Sequence, residues 1–115
     1  MRMKYKPWAL PYLREHPEVV FHEDHLQEAA FQIFLKHRSL HLEIGGGKGD
    51  FIVQLAAKNP RKFFLMIEKN ISAAGFAAKK IVESGLSNVK MICADVVDCF
   101  AWIPDDTFQN IFLNF

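Results

Sequence analysis

With 115 residues, half of them apolar, the chain is long enough for one small folded domain and too apolar for a disordered one. Fourteen Lys and Arg stand against 13 Asp and Glu, a net charge of +1, so overall charge gives no reason to expect a polyanionic partner. No apolar run approaches the roughly 20 residues that cross a bilayer, and no signal-peptide block follows the basic start, which predicts a cytoplasmic protein.

The first 14 residues hold Arg2, Lys4, Lys6 and Arg14 and no acid, with Tyr5, Trp8 and Tyr12 interleaved. Residues 1–24 therefore read as a basic arm suited to phosphate contacts, in which Pro7, Pro11 and Pro17 leave room for only a turn or two of helix. Leu26, Ala29, Ala30, Ile33 and Phe34 follow helical spacing, and Asp24 with Gln27 resembles a capping box, so a helix is predicted over about 25–37. Leu40 to Ile44 is a short extended run ending in glycines, and Gly49 to Lys58 reads as a helix that Asn59-Pro60 stops.

Lys62 to Glu68 is continuously apolar through its middle, as expected of a central parallel strand covered on both faces. Ala74, Ala77, Ala78, Ile81 and Val82 form a helical stripe of mostly small side chains, with Gly85 placed as its C-cap. A third strand follows at Val89 to Cys93, a short helix near 96–102, and a fourth strand from Gln109 to Phe115. The order β-α-β-α-β-α-β specifies an α/β fold, a doubly wound and mostly parallel sheet, over residues 25–115. Ile111 to Phe115 looks like an interior strand with no helix after it, which predicts a fragment of a longer protein, truncated after the fourth strand.

Three chemistries compete for the loop Glu43-Ile44-Gly45-Gly46-Gly47-Lys48-Gly49. A dinucleotide fingerprint counted from Gly45 and Gly47 needs a third glycine at position 50, where Asp50 stands. A P-loop needs Ser or Thr after Gly47-Lys48, where Gly49 stands, and a glycine five residues before Gly47, which is absent. What remains is an acid at a strand end followed by GxGxG, which suits S-adenosylmethionine. That cofactor carries an ammonium and a sulfonium but no phosphate, so a carboxylate at Glu43 is useful to it. Gly45 and Gly47 would let the backbone pass close to the methionine portion.

Two further acids close strands at the same edge of the sheet, where doubly wound folds bind ligands. Glu68 ends the second strand and suits a pair of ribose hydroxyls; Asp95 follows the third and suits an adenine amino group. Each taken alone also fits a solvated helix cap, and the glycines also fit a tight turn.

These residues together resemble the bacterial tRNA (guanine-N7)-methyltransferase family along nearly the whole chain. The resemblance rests on Arg2-Met3-Lys4-Tyr5-Lys6-Pro7-Trp8, on Leu42 through Phe51, on Ile67-Glu68, on Gly85 through Val89, on Ala94-Asp95 and on Phe112-Leu113-Asn114-Phe115. It implies a Rossmann-like class I methyltransferase fold and methyl transfer from S-adenosylmethionine to N7 of a guanine in the variable loop of tRNA. It also implies cofactor binding by Glu43, Glu68 and Asp95, with Gly45, Gly46 and Gly47 lining the methionine portion. In that family the LNF strand runs into a Pro-Trp-Pro-Lys segment carrying the catalytic and tRNA-contacting residues, so no catalytic residue is assigned here and this fragment alone is expected to be inactive.

Other features have plainer readings. His22 and His25 are three residues apart and do not form the HExxH pattern of a metalloprotease, so they read as a solvated loop; Cys93 and Cys99 match neither a CxxC pair nor a zinc knuckle and read as buried thiols, so no metal site is expected. Lys48, Lys79 and Lys80 read as solvent-facing. A small-molecule methyltransferase with the same cofactor domain, and a non-catalytic binding module that keeps the cofactor fold, remain the alternatives.

Overall fold

The computed structural model describes residues 3–114; Arg2 and Phe115, both used in the sequence reading, lie outside the described residues. Among the described residues five strands form one all-parallel sheet in the order β1-β4-β3-β2-β5: β1 (Val20–Phe21), β2 (Leu40–Ile44), β3 (Phe63–Glu68), β4 (Val89–Cys93) and β5 (Asn110–Leu113). Five helices connect or precede them: α1 (Ala9–Glu15), α2 (Ala29–Phe34), α3 (Asp50–Lys58), α4 (Ile71–Ser84) and α5 (Val96–Cys99), the last continued by a 3-10 turn at Phe100–Trp102.

The apolar run of β3 is central, as its composition requires. Phe64 and Met66 point into a core with Ile52, Ala56, Ala74, Ala77 and Ile81, while Leu65 and Ile67 point into a second core with Phe31, Phe34, Leu40 and Leu42. The sheet thus separates two apolar layers, and each fully buried aliphatic or aromatic side chain contributes about 1.5–3 kcal/mol. Glycine at 85 ends α4 in the left-handed conformation at φ 71°, and the Asn70 side chain caps its start by accepting from Ala73 N–H at 2.9 Å.

The small stripe of α4 serves two contacts. Ala74, Ala77 and Ala78 enter the core, and Gly75 lets α1 approach so closely that a Cβ there would lie 2.5 Å from Ala9 Cβ. Helix α1 runs through Pro11, which is tolerated because the third residue of a helix has no intrahelical use for its N–H.

The segment before β2 differs from its prediction. Instead of a helix over 25–37, Glu23–His25 forms a 3-10 turn and α2 spans only Ala29–Phe34. The Asp24–Gln27 capping box does not form: His22 Nδ1 accepts from Asp24 N–H at 3.1 Å, while the Gln32 amide donates to the carbonyls of Leu26 and Trp102. Glu28, extended at ψ 159°, breaks the chain between the two turns. That break rotates the helix, so the buried set is Leu26, Phe31, Phe34 and Leu35, with Ala29, Ala30 and Ile33 exposed. Strand β1, which extends the sheet beyond β4, was not predicted; two residues are too few to show a period.

Candidate functional site

From β2 the chain moves first to β3 and β4 on one side, then crosses back to β5 on the other side of β2. The reversal falls at β2, and in parallel α/β sheets the crevice at the carboxyl end of such a strand is where ligands bind. The glycine loop leaves β2 at this point. Gly45 and Gly47 have φ of 75° and 60°, and Gly49 starts α3 at 85°, all left-handed values that favour glycine.

Glu43 lies inside β2, between Met66 of β3 and Phe112 of β5, and is fully buried. Its Oε2 accepts from Asn114 Nδ2 at 2.7 Å; its Oε1 is buried with no hydrogen-bond partner among the described residues. The loop folds over that oxygen, since a Cβ on Gly46 would stand 2.6 Å from Glu43 Oε1 and 2.6 Å from Met66 Sδ. Burial pushes the Glu43 carboxyl above the usual carboxylate range; the Asn114 bond opposes the shift and the negative charge of Glu68 adds to it.

Glu68, at the end of β3 and nearly buried, holds the loop from the neighbouring strand. Its Oε1 accepts from Gly47 N–H at 2.9 Å and its Oε2 from Asn70 N–H at 2.8 Å. Above Gly47 the space is open: a Cβ there would meet no atom within 4 Å. The geometry therefore brings together Glu43, Gly45, Gly46, Gly47 and Glu68.

Asp95 stands farther out. Glu68 is in register with Cys93, so Asp95 begins two residues beyond the end of β4, exposed, with Oδ1 capping α5 through Val97 N–H at 3.1 Å. It also lines a cavity of about 700 Å³ bounded by Leu13, Arg14, Phe21, Lys69 and Ala94. The glycine loop is not part of that cavity's wall; the cavity meets the site only through Lys69 and the Cys93-Ala94-Asp95 end. Cys93 borders it as well, its thiol pushed up to about 11 chiefly by burial, which leaves it a poor nucleophile near neutrality.

Sequence reasoning missed two participants. Asn114 enters the sequence reading only as part of a family signature, and its polar side chain at the end of an apolar strand is the available signal. Asn70 was not singled out; its N–H orients Glu68 while its side chain caps α4.

As a whole the arrangement offers two carboxylates, one with a free buried oxygen, beside a glycine loop whose outer face is open. Such a site attracts a ligand with a localised positive charge and hydroxyl groups, and repels a phosphate.

A family model described as "Putative methyltransferase" matches residues 37–115. Over all 115 residues the chain is 39% identical to proteins named tRNA (guanine-N(7)-)-methyltransferase from Staphylococcus aureus strains JH9 and N315, and 38% identical to that of strain Newman. Each alignment covers 100% of this chain and 54% of the relative, so the chain spans about half the length of the curated relatives it matches.

Proposed function

Because the chain belongs to this methyltransferase family, we propose that it is the cofactor-binding half of an S-adenosylmethionine-dependent tRNA (guanine-N7)-methyltransferase. We assign residues 25–115 to the cofactor domain and residues 1–24 to a basic segment that faces the RNA and is joined to that domain by the packing of α1 on α4 and the pairing of β1 with β4. The observation that carries the reading is the buried Oε1 of Glu43, without a hydrogen-bond partner among the described residues, beneath a glycine loop whose spacing fits neither a dinucleotide fingerprint nor a P-loop. The names of the similar Staphylococcus aureus proteins supply the substrate.

The residues fit the cofactor. Glu43 offers its free oxygen and its charge to the methionine ammonium. Each Glu68 oxygen already accepts one backbone N–H and keeps a second acceptor position for a ribose hydroxyl. Asp95 has its Oδ1 engaged in the helix cap, which leaves Oδ2 for an adenine amino group. Gly45, Gly46 and Gly47 let the backbone pass close beneath the methionine portion. When bound, S-adenosylmethionine supplies an electrophilic methyl group on a sulfonium.

Guanine N7 has its own lone pair and needs no base to deprotonate it. This half of the enzyme therefore contributes by holding and orienting, not by moving protons. No catalytic residue is assigned to it, and alone it would be inactive. Such an enzyme would act in the cytoplasm, and among the described residues no helix is long and apolar enough to cross a membrane.

The test is to incubate the gene product that carries this chain with unmodified tRNA and S-adenosylmethionine and to digest the RNA for nucleoside mass spectrometry. We expect 7-methylguanosine. Its absence, with cofactor binding intact by calorimetry, would leave a small-molecule methyltransferase; no heat on titration with S-adenosylhomocysteine would leave a binding module.

A further inference from the structure

Along one side of α4 a row of amines and rings runs from the glycine loop to the start of α1. Lys48 Nζ lies 4.9 Å from the centre of the Phe76 ring, Phe76 meets Trp8 edge-on at 5.0 Å, and Lys79 Nζ lies 5.6 Å from the Trp8 ring. Both lysines are exposed. Among the described residues the one lysine–carboxylate ion pair is Lys80 with Asp50, so the charges of Lys48 and Lys79 are met by ring faces and not by acids.

The N-terminal segment is fixed along the same row. Lys6 N–H donates to the buried Ser72 Oγ at 2.8 Å, which draws residues 4–8 across the first turn of α4. The close contact of Ala9 with Gly75 then seats Trp8 beside Phe76. Lys4 and Tyr5, the latter 62% exposed, extend the surface past Trp8.

We propose that this row docks an RNA phosphate backbone, with Lys48 and Lys79 meeting phosphates and Lys4 and Lys6 flanking them. The proposal rests on the tRNA reading above and names where on this chain the RNA lies. A ring face restricts the lysine stem without neutralising the amine, so each charge is held in place yet remains available to an anion. Alternation of charge with half-buried rings suits a polyanion better than an apolar protein surface. Lys48 follows Gly47 directly, so RNA on this row would pass the sheet edge where the methyl donor is proposed to sit.

Filter binding of unmodified tRNA to the gene product, over a series of salt concentrations, tests this. We expect Lys48→Ala with Lys79→Ala to weaken binding roughly tenfold and to lower the slope of log affinity against log salt by about two. Lys58→Ala with Lys62→Ala, which removes equal charge from the opposite edge of the sheet, should bind as the parent does. Lys48→Arg with Lys79→Arg should retain binding, and circular dichroism should show every variant folded. Unchanged affinity and slope in the Lys48/Lys79 alanine pair would overturn the proposal, as would equal weakening in the two alanine pairs. If the parent itself binds no tRNA at low salt, the tRNA reading fails and this surface fails with it.

Discussion

Asn114 and Glu43, 71 residues apart in sequence, meet across β5 and β2 through a 2.7 Å hydrogen bond that satisfies one carboxylate oxygen and leaves the other without a partner among the described residues. The contact is held from both sides, because Asn114 N–H also donates to Ile44 carbonyl at 3.0 Å. Half of the carboxylate is thus structural, and the other half is a buried charge without compensation, which is costly to a protein that has no ligand for it.

The cost has a definite pH dependence. Glu43 has a pKa above its ordinary value in the fold, so the native state binds its proton more tightly than the unfolded chain does. Its favourable contribution is complete below the ordinary value of 4.5 and is lost as pH rises through the elevated one. Glu43→Gln keeps an acceptor for Asn114 and removes the charge. Thermal unfolding should find the variant more stable than the parent by about 1 kcal/mol near neutrality, with the difference shrinking toward pH 4.5. The same variant should bind S-adenosylhomocysteine more weakly; equal affinity would count against a role for Glu43 in the cofactor site.

Gly46 and Gly47 should respond differently to alanine although they are neighbours. At Gly46 the new Cβ would fall 2.6 Å from both Glu43 Oε1 and Met66 Sδ, so the loop must move, and a loss of about 1–3 kcal/mol in denaturant unfolding is expected. At Gly47 nothing obstructs the side chain, and only the left-handed φ of 60° opposes it, for about 1 kcal/mol. Its methyl group would project into the open space above the loop, so ligand affinity should fall more than stability does.

Asn88 closes the opposite edge of the sheet. Its buried Nδ2 donates toward the carbonyls of Ala56, Asn59 and Lys62, at 3.1, 3.1 and 3.0 Å, joining the end of α3 to the starts of β3 and β4. Asn88→Ala should cost about 1–3 kcal/mol in chemical denaturation, by taking the donor from the Lys62 carbonyl and the second donor from the carbonyls of Ala56 and Asn59, which keep the N–H groups of Asn59 and Lys62. Cofactor affinity in the folded variant should be unchanged, since the proposed site lies at the other end of the strands.

Burial pushes Cys93 and Cys99 to about 11 from an ordinary value of 9.0, and nearby acids add to the shift. The thiolate population at mildly alkaline pH is then roughly a hundredfold below that of an ordinary thiol. Iodoacetamide should alkylate the native protein slowly below pH 10 and both thiols rapidly once guanidinium unfolds the chain. Fast alkylation of the native protein would refute the burial of these two groups.

Local patterns in the sequence carried the strands and glycines of this fold well. The continuous apolar run of β3 announced two covered faces, and Gly85 announced a left-handed helix end, because both signals lie within a few residues. The acid, the loop and Glu68 were also readable as neighbours at one sheet edge, since a parallel strand order dictates where strand ends gather. What escaped was set by distance or by shortness. The partner of Glu43 is Asn114, 71 residues away, and no local period points to it. Strand β1 has two residues, and the apolar spacing around α2 could not disclose the break at Glu28 that turns Ile33 outward.

The two backbone bonds to Glu68 have a kinetic consequence. With one oxygen on Gly47 N–H and the other on Asn70 N–H, this carboxylate latches the loop to the next helix before any ligand arrives. The ordering cost of the loop is met during folding, so a ligand at the proposed site would meet a ready-made rim and its association would not wait for loop closure. Glu68→Asp, one methylene shorter, would loosen that latch, and a delay in binding seen by stopped flow should then emerge where the parent shows none.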